Sequence, residues 1–173
     1  MRNKQLLHTI MAALFAALVC VATVAVRVPI PATQGYANLG DALVLLAAFF
    51  LGPLYGALAA GVGSALADLF AGYALYAPGT AVIKGLCAVT AALLLRRLGG
   101  RLRWAHVPAA VVGECVMVAG YFLYESALLG YGLAAAGSIP ANAAQGAVGA
   151  LAGVVLYQAL RKVPQLRRYL GED

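Results

Sequence analysis

The segment 38–79 is the most restrictive part of the sequence, because it is apolar almost throughout and yet carries two carboxylates, Asp41 and Asp68. Gly52-Pro53 interrupts the run. Proline cannot continue a helix, so this break predicts a hairpin of two helices. Carboxylates in apolar surroundings are costly. The two acids therefore require a structural or functional explanation.

The composition is that of a membrane protein. Of 173 residues, 64% are hydrophobic and 10% are charged, whereas soluble domains are ~45–50% apolar and ~25% charged. The length allows about six spans of ~20 residues and no further soluble domain. Residues 1–173 are therefore predicted to form one integral membrane domain, whose first apolar run is a retained helix and not a signal peptide.

Glycine and proline breaks divide the chain into six predicted transmembrane helices, which makes the expected fold an all-α membrane protein. The predicted bounds are 5–26, 41–51, 54–70, 80–97, 107–129 and 140–160. The second helix is short, since eleven residues rise only ~17 Å against a hydrocarbon core of ~30 Å. Either residues of the preceding loop complete the span, or the helix is partly re-entrant.

Positive charge predicts the orientation. Ten of the twelve Lys and Arg residues lie near the N-terminus, in the segment 96–103 or in the segment 161–168, all on one side of a six-span topology. The positive-inside rule places that side, with both termini, in the cytoplasm. The net charge of +6 thus reflects membrane orientation and does not indicate nucleic-acid binding.

Polar and aromatic side chains are predicted to meet just inside the outer face. A few polar groups among aromatic rings are typical of a pocket for a small molecule. Each residue also has a plainer explanation, as an interfacial tyrosine or as a contact between helices. The candidate ligand-binding residues are Tyr36, Asn38, Asp68, Tyr76, Lys84, Tyr121, Tyr124, Glu125, Asn142 and Gln145.

Three buried charges have predicted local roles. Asp41 is positioned to cap the N-terminus of the second helix. Asp68 is expected either to pair with Lys84 or to form part of the pocket floor. Glu114 lies deeper, and we expect it to act in a helix contact or in coupling.

No catalytic or metal site is predicted, because the sequence has no HExxH, GxSxG, paired-cysteine or P-loop pattern. We therefore expect no enzymatic activity and no cofactor, and any energised transport needs a partner. Two alternatives to a binding subunit stay open. One is a solitary secondary carrier with Asp41 or Asp68 as its ion-coupling group, and the other is a ligand-free assembly subunit.

The first helix carries a stripe of small residues, Ala12, Ala13, Ala16 and Ala17, on which another helix can pack closely. With this stripe, the hairpin NLGDALVLLAAFFLGPLYGALAAGVGSALADLFAG and the segment SIPANAAQGAVGALAG, the chain resembles the S components of energy-coupling factor (ECF) vitamin transporters, in their riboflavin-type branch. The resemblance covers nearly the whole chain.

This resemblance implies a prokaryotic plasma-membrane protein that binds a vitamin or precursor from outside. It also implies delivery inward with a transmembrane coupling protein and two cytosolic ATPases, with the alanine stripe on the coupling helices. Tyrosine rings and the amides of Asn142 and Gln145 suit riboflavin, pyridoxine or a hydroxymethylpyrimidine equally well.

Overall fold

The computed structural model describes residues 2–164 and is about 80% helical. Within these residues five helices are long and apolar enough to cross a membrane, which agrees with the predicted helical membrane fold. Arg167 and Arg168, which contribute to the predicted orientation, lie outside the described residues. The helices are α1 (Arg2–Ala25), α2 (Asp41–Ala71), α3 (Ala77–Gly99), α4 (His106–Leu123) and α5 (Ile139–Leu160).

Helix α2 consists of two arms that meet at Gly52, whose φ of 76° and ψ of −173° are not helical. A Cβ built on Gly56 would lie 2.8 Å from the Cα of Ala48. Residues eight apart in a continuous helix are separated by ~12 Å along its axis, so the chain turns back at Gly52. The two arms correspond to the predicted helices 41–51 and 54–70.

The first arm of α2 forms the centre of the core. Every residue from Val44 to Leu51 is at most 6% exposed. Phe50 packs against Phe15 of α1, with ring centroids 6.4 Å apart, and Phe49 packs against Tyr157 of α5 at 5.0 Å. After Asp41 the arm is apolar all round, because it contacts other helices over most of its surface.

The turn at Gly52 lies at the end of the bundle that carries the basic residues 96–103, which we call the basic end. A Cβ on Gly52 would overlap a guanidinium nitrogen of Arg96. His8 of α1 lines the same small cavity as Gly52 and Arg96. The eleven-residue arm therefore reaches the basic end from its start at Asp41.

Short elements cover the opposite end of the bundle, which we call the hairpin end. A loop was predicted over 27–40, but part of it forms the antiparallel strands β1 (Arg27–Pro29) and β2 (Tyr36–Asn38). A π-helical turn, Tyr124–Leu128, follows α4, and a 3₁₀ helix, Gly132–Ser138, precedes α5. Pro140 lies in the first turn of α5, as predicted.

Candidate binding cavity

A small internal cavity of about 20 Å³ lies at the hairpin end, between the helices and the β1–β2 hairpin. All five long helices contribute to it, and most of its lining residues carry a polar side-chain group. Its lining residues are Thr23, Ile30, Gly35, Tyr36, Asn38, Ser64, Asp68, Tyr76, Thr80, Lys84, Tyr121, Glu125 and Asn142.

The structure brings eight of the ten predicted ligand-binding residues to this cavity. Tyr124 and Gln145 lie outside its lining. The ring of Tyr124 packs over Gly79, and its hydroxyl donates to the carbonyl of Leu75 at 2.5 Å. Gln145 lies beside the cavity, where its side-chain oxygen accepts from the backbone N–H of Asn38 at 2.7 Å.

Five lining residues were not predicted from the sequence: Thr23, Ile30, Gly35, Ser64 and Thr80. Two of them had a usable signal. Ser64 precedes Asp68 by four residues, and Thr80 precedes Lys84 by four. Because residues four apart share a helix face, each hydroxyl was predictable from the charged residue that follows it.

Lys84 forms a buried ion pair with Asp41, and the exposed fraction of each residue is at most 1%. Gln145 donates to the second carboxylate oxygen of Asp41 at 2.5 Å. One prediction was wrong here, and of the two alternatives for Asp68 the pairing with Lys84 is excluded. Asp41 does not cap α2, since Gly40 occupies the N-cap position and Asp41 points into the bundle. Lys84 pairs with Asp41 and not with Asp68.

Asp68 accepts a hydrogen bond from the Tyr36 hydroxyl at 2.6 Å, which links α2 to the β1–β2 hairpin. Its other oxygen, Oδ2, is buried and has no hydrogen-bond partner among the described residues. The nearby Thr80 hydroxyl shares a hydrogen bond with the hydroxyl of Tyr121 at 3.0 Å. Burial, and then the bond to Asp68, raises the pKa of Tyr36. The phenol therefore stays protonated and donates to the carboxylate at neutral pH.

Glu125 is 1% exposed and points inward from the π-helical turn. The extra residue in such a turn re-aims side chains, and π-turns often occur at functional sites. Glu125 accepts from the hydroxyls of Tyr76 at 3.1 Å and Ser138 at 2.5 Å. Burial raises the pKa of Tyr76, so this phenol also remains a donor at neutral pH.

A row of tyrosines crosses the hairpin end beside the cavity. Ring centroids are 4.5 Å apart for Tyr36 and Tyr73, 6.5 Å for Tyr73 and Tyr76, and 6.2 Å for Tyr76 and Tyr124. Tyr36 and Tyr76 belong to this row and also hydrogen-bond to the two cavity carboxylates. The row therefore connects the hairpin to the loop between α2 and α3.

Glu114 lies outside the cavity at the contact between α4 and α5. It is 4% exposed, and neither carboxylate oxygen has a hydrogen-bond partner. A Cβ on Gly149 of α5 would meet both Glu114 and Asp41. Glu114 thus contributes to a helix contact, as predicted, and lies close to the Asp41–Lys84 pair.

The alanine stripe on α1 is divided between two faces. Ala12 is buried and Ala16 is half-buried against α2, where a Cβ on Gly63 would overlap the carbonyl oxygen of Ala16. Ala13 and Ala17 are exposed. Only the second pair presents small residues to the outside of the bundle.

The chemistry of the cavity is that of binding. Its hydroxyls, carboxylates and amide surround a small space, with one ammonium group that is already paired. Among the described residues no group of three His, Cys, Asp or Glu side chains is placed to hold a metal ion. A wider groove of about 800 Å³ at the basic end is lined by Arg103, His106 and Arg161, and none of the predicted ligand residues lines it.

Comparisons with known proteins agree with this architecture. The fold matches that of a solved S component of a bacterial ECF transporter with a TM-score of 0.73 and 24% identity, covering 94% of this chain and 98% of the other. A Pyrococcus woesei protein, described as an uncharacterized protein in the gap 3′ region, is 44% identical over 119 residues. That match covers 68% of this chain and 78% of the relative.

Residues 3–162 also match the model of a protein family described as the S component of ECF-type riboflavin transporters. This match spans the five long helices and the short elements of the hairpin end. The chain therefore belongs to the family of ECF-type riboflavin transporter S components.

Proposed function

We propose that this protein is the substrate-binding subunit of an ECF-type importer in the prokaryotic plasma membrane. It captures a vitamin or vitamin precursor at the hairpin end and delivers it inward with a coupling protein and two cytosolic ATPases. The observation that carries the proposal is the convergence of polar side chains from every long helix on one buried cavity. Membership of the S-component family supports it.

The cavity must widen to admit such a ligand. Its volume of about 20 Å³ holds about one water molecule, whereas pockets for small organic ligands are ~300–1,000 Å³. The β1–β2 hairpin is the element best placed to move, because few contacts hold it over the cavity. Among these are the bond from Tyr36 to Asp68 and the bond from the Asn38 backbone to Gln145. The hairpin would then act as the lid of the site.

The exposed face of α1 is the proposed contact for the coupling protein. Ala13 and Ala17 lie four residues apart on this face and are flanked by the exposed Leu14 and Leu18. Small residues at this spacing allow a partner helix to approach closely. Ala12 and Ala16, which pack inside the bundle, would influence the contact only indirectly.

Ligand binding is tested by unfolding the purified protein in detergent with riboflavin, pyridoxine or hydroxymethylpyrimidine. A ligand present at 100 times its Kd should raise the free energy of unfolding by about 2.7 kcal/mol. If none of the three compounds shifts the unfolding midpoint, the protein does not bind this class of ligand. That result would favour a ligand-free assembly subunit.

Coupling is tested by co-expression with an ECF coupling protein and its ATPases. Ala13→Leu with Ala17→Leu should abolish co-purification and uptake, because added bulk separates the helices. The matched control is Ala143→Leu with Ala147→Leu, an exposed pair at the same spacing on α5, which should leave both unchanged. Uptake by the protein alone would overturn the proposal in favour of a solitary carrier.

A further inference from the structure

We infer that the ligand of the cavity carries a cationic nitrogen group, an amine or a protonated amino-heterocycle, that binds to Asp68. The inference rests on the proposed function, since it names the chemistry of the molecule captured there. Three observations carry it. They are the charges around the cavity, the carboxylate oxygen of Asp68 without a hydrogen-bond partner, and two hydroxyl groups of the cavity that also have none.

The described residues around the cavity carry more acidic than basic side chains. Among the described residues Lys84 is the only Lys or Arg in the lining, and Asp41 already pairs with it. Asp68 and Glu125 therefore have no cation of their own among the lining residues. A carboxylate in a membrane span that is not paired with a cation is costly, and a bound cation would remove that cost.

The carboxylates of Asp68 and Glu125 differ in how many of their oxygens accept a hydrogen bond. Each oxygen of Glu125 accepts a hydroxyl hydrogen bond, one from Tyr76 and one from Ser138. Asp68 has such a bond at Oδ1, from Tyr36, but none at Oδ2. Asp68 is 3% exposed, so bulk solvent hardly reaches this oxygen. Asp68 is therefore the better anchor for a ligand donor.

Two further oxygens of the cavity are also without a hydrogen-bond partner among the described residues. The hydroxyls of Ser64 and Thr23 are buried, line the same cavity and make no hydrogen bond. Ser64 lies one helical turn before Asp68 on the same face of α2. A carboxylate oxygen with one hydroxyl acceptor a helical turn away and a second on the same cavity matches an ammonium or amidinium group, which has several N–H donors.

A metal ion or a neutral flavin fits these groups less well. No three metal-ligating side chains of the described residues converge here, and a metal ion needs such a set of ligands. The isoalloxazine ring of riboflavin is uncharged and would leave the charge of Asp68 uncompensated. An organic cation supplies both the charge and the donors.

The test compares ligand pairs that differ in one group. Pyridoxamine and pyridoxine share a ring and differ by an amine in place of a hydroxyl, and 4-amino-5-hydroxymethyl-2-methylpyrimidine is paired with its 4-hydroxy analogue. Binding of each compound and of riboflavin is measured by calorimetry on the purified protein. In at least one pair the amine should bind more tightly by about tenfold or more, since a charge-assisted hydrogen bond contributes ~1.5–3 kcal/mol.

Variants then assign the preference to Asp68. Asp68→Asn keeps the shape of the side chain and removes the charge, so the preference for the amine should disappear. Glu114→Gln is the matched control, because it removes a buried carboxylate outside the cavity and should leave the preference intact. If Asp68→Asn does not fold, Ser64→Ala serves instead and should weaken amine binding by about threefold.

Three results would overturn the inference. These are equal or weaker binding of the amine in both pairs, tightest binding of riboflavin, or an unchanged preference in Asp68→Asn. Tight riboflavin binding would leave the proposed function intact. If no compound binds, the inference fails, and co-purification with the coupling protein decides separately whether the proposed function survives.

Discussion

At the scale of single residues, the Asp41–Lys84 pair shows why charges persist in this bundle. The two side chains come from different helices, are almost completely buried, and are joined to α5 through Gln145. Removing one partner of a buried pair leaves an uncompensated charge, while removing both charges often costs little. The pair therefore makes three helices depend on one another.

We expect Lys84→Met to lower the free energy of unfolding by about 3–5 kcal/mol, because Asp41 then remains buried without a cation. In the double variant, Asp41→Asn with Lys84→Met, most of that loss should be recovered, since the introduced amide oxygen still accepts from Gln145. Unfolding midpoints in detergent measure both effects. If Lys84→Met and the double variant were equally stable, the loss would not come from the uncompensated charge of Asp41.

At the scale of elements, the reversal within α2 depends on one residue. Gly52 has a positive φ of 76°, which side chains other than glycine rarely adopt, and Arg96 occupies the space next to it. Pro53 follows, at a position where the missing N–H costs nothing because the second arm begins there. Together these two residues make the turn tight enough for the arms to pack on each other.

Gly52→Ala should destabilise the protein by about 1–3 kcal/mol, the cost of holding a side chain in this backbone conformation. Gly99→Ala is the comparison, because a Cβ at the end of α3 would meet no other atom within 4 Å. It should be neutral or stabilising by up to about 1 kcal/mol. Unfolding midpoints of the two variants decide the matter, and equal midpoints would contradict a strained turn at Gly52.

The elements also show what the sequence could and could not predict. Gly52-Pro53 and the basic clusters located the helices, because glycine, proline and membrane charge act locally. The ion pair between Lys84 and Asp41 was not predicted, since residues 43 positions apart meet only through tertiary packing. The π-helical turn and the β1–β2 hairpin left no distinct pattern. Most of the cavity was nevertheless predictable, because buried polar side chains are rare in apolar helices and stand out.

At the scale of the whole molecule, the remaining question is how the chain crosses the membrane. The turn at Gly52 lies beside Arg96 and His8 at the basic end, although the first arm of α2 is only eleven residues long. If the arm crosses completely, the chain passes through the membrane six times and both termini lie on the cytoplasmic side. A re-entrant arm would leave the turn within the membrane.

We expect the turn to be reached from the cytoplasm. Single cysteines at Leu54, Leu75 and Leu102, all at least 50% exposed, would be introduced after Cys115, the exposed native cysteine, is replaced by alanine. A membrane-impermeant maleimide should label Leu54→Cys and Leu102→Cys only in inside-out vesicles, and Leu75→Cys only in intact cells. Leu75 lies at the hairpin end and Leu102 at the basic end. Because these ends are opposite in the bundle, the two positions define the two sides of the membrane.

The labelling pattern distinguishes the two topologies directly. A cysteine at 54 that reacts from neither side, while 75 and 102 react as expected, would show that the turn stays inside the membrane and that α2 is re-entrant. Labelling at 75 and 102 from the same side would contradict the orientation derived from the basic residues. Labelling at 54 and 102 from the cytoplasm alone means that the first arm carries Asp41 at one face of the membrane and Gly52 at the other. The buried first arm of α2 would then connect the cavity at the hairpin end to the basic end through a single helix.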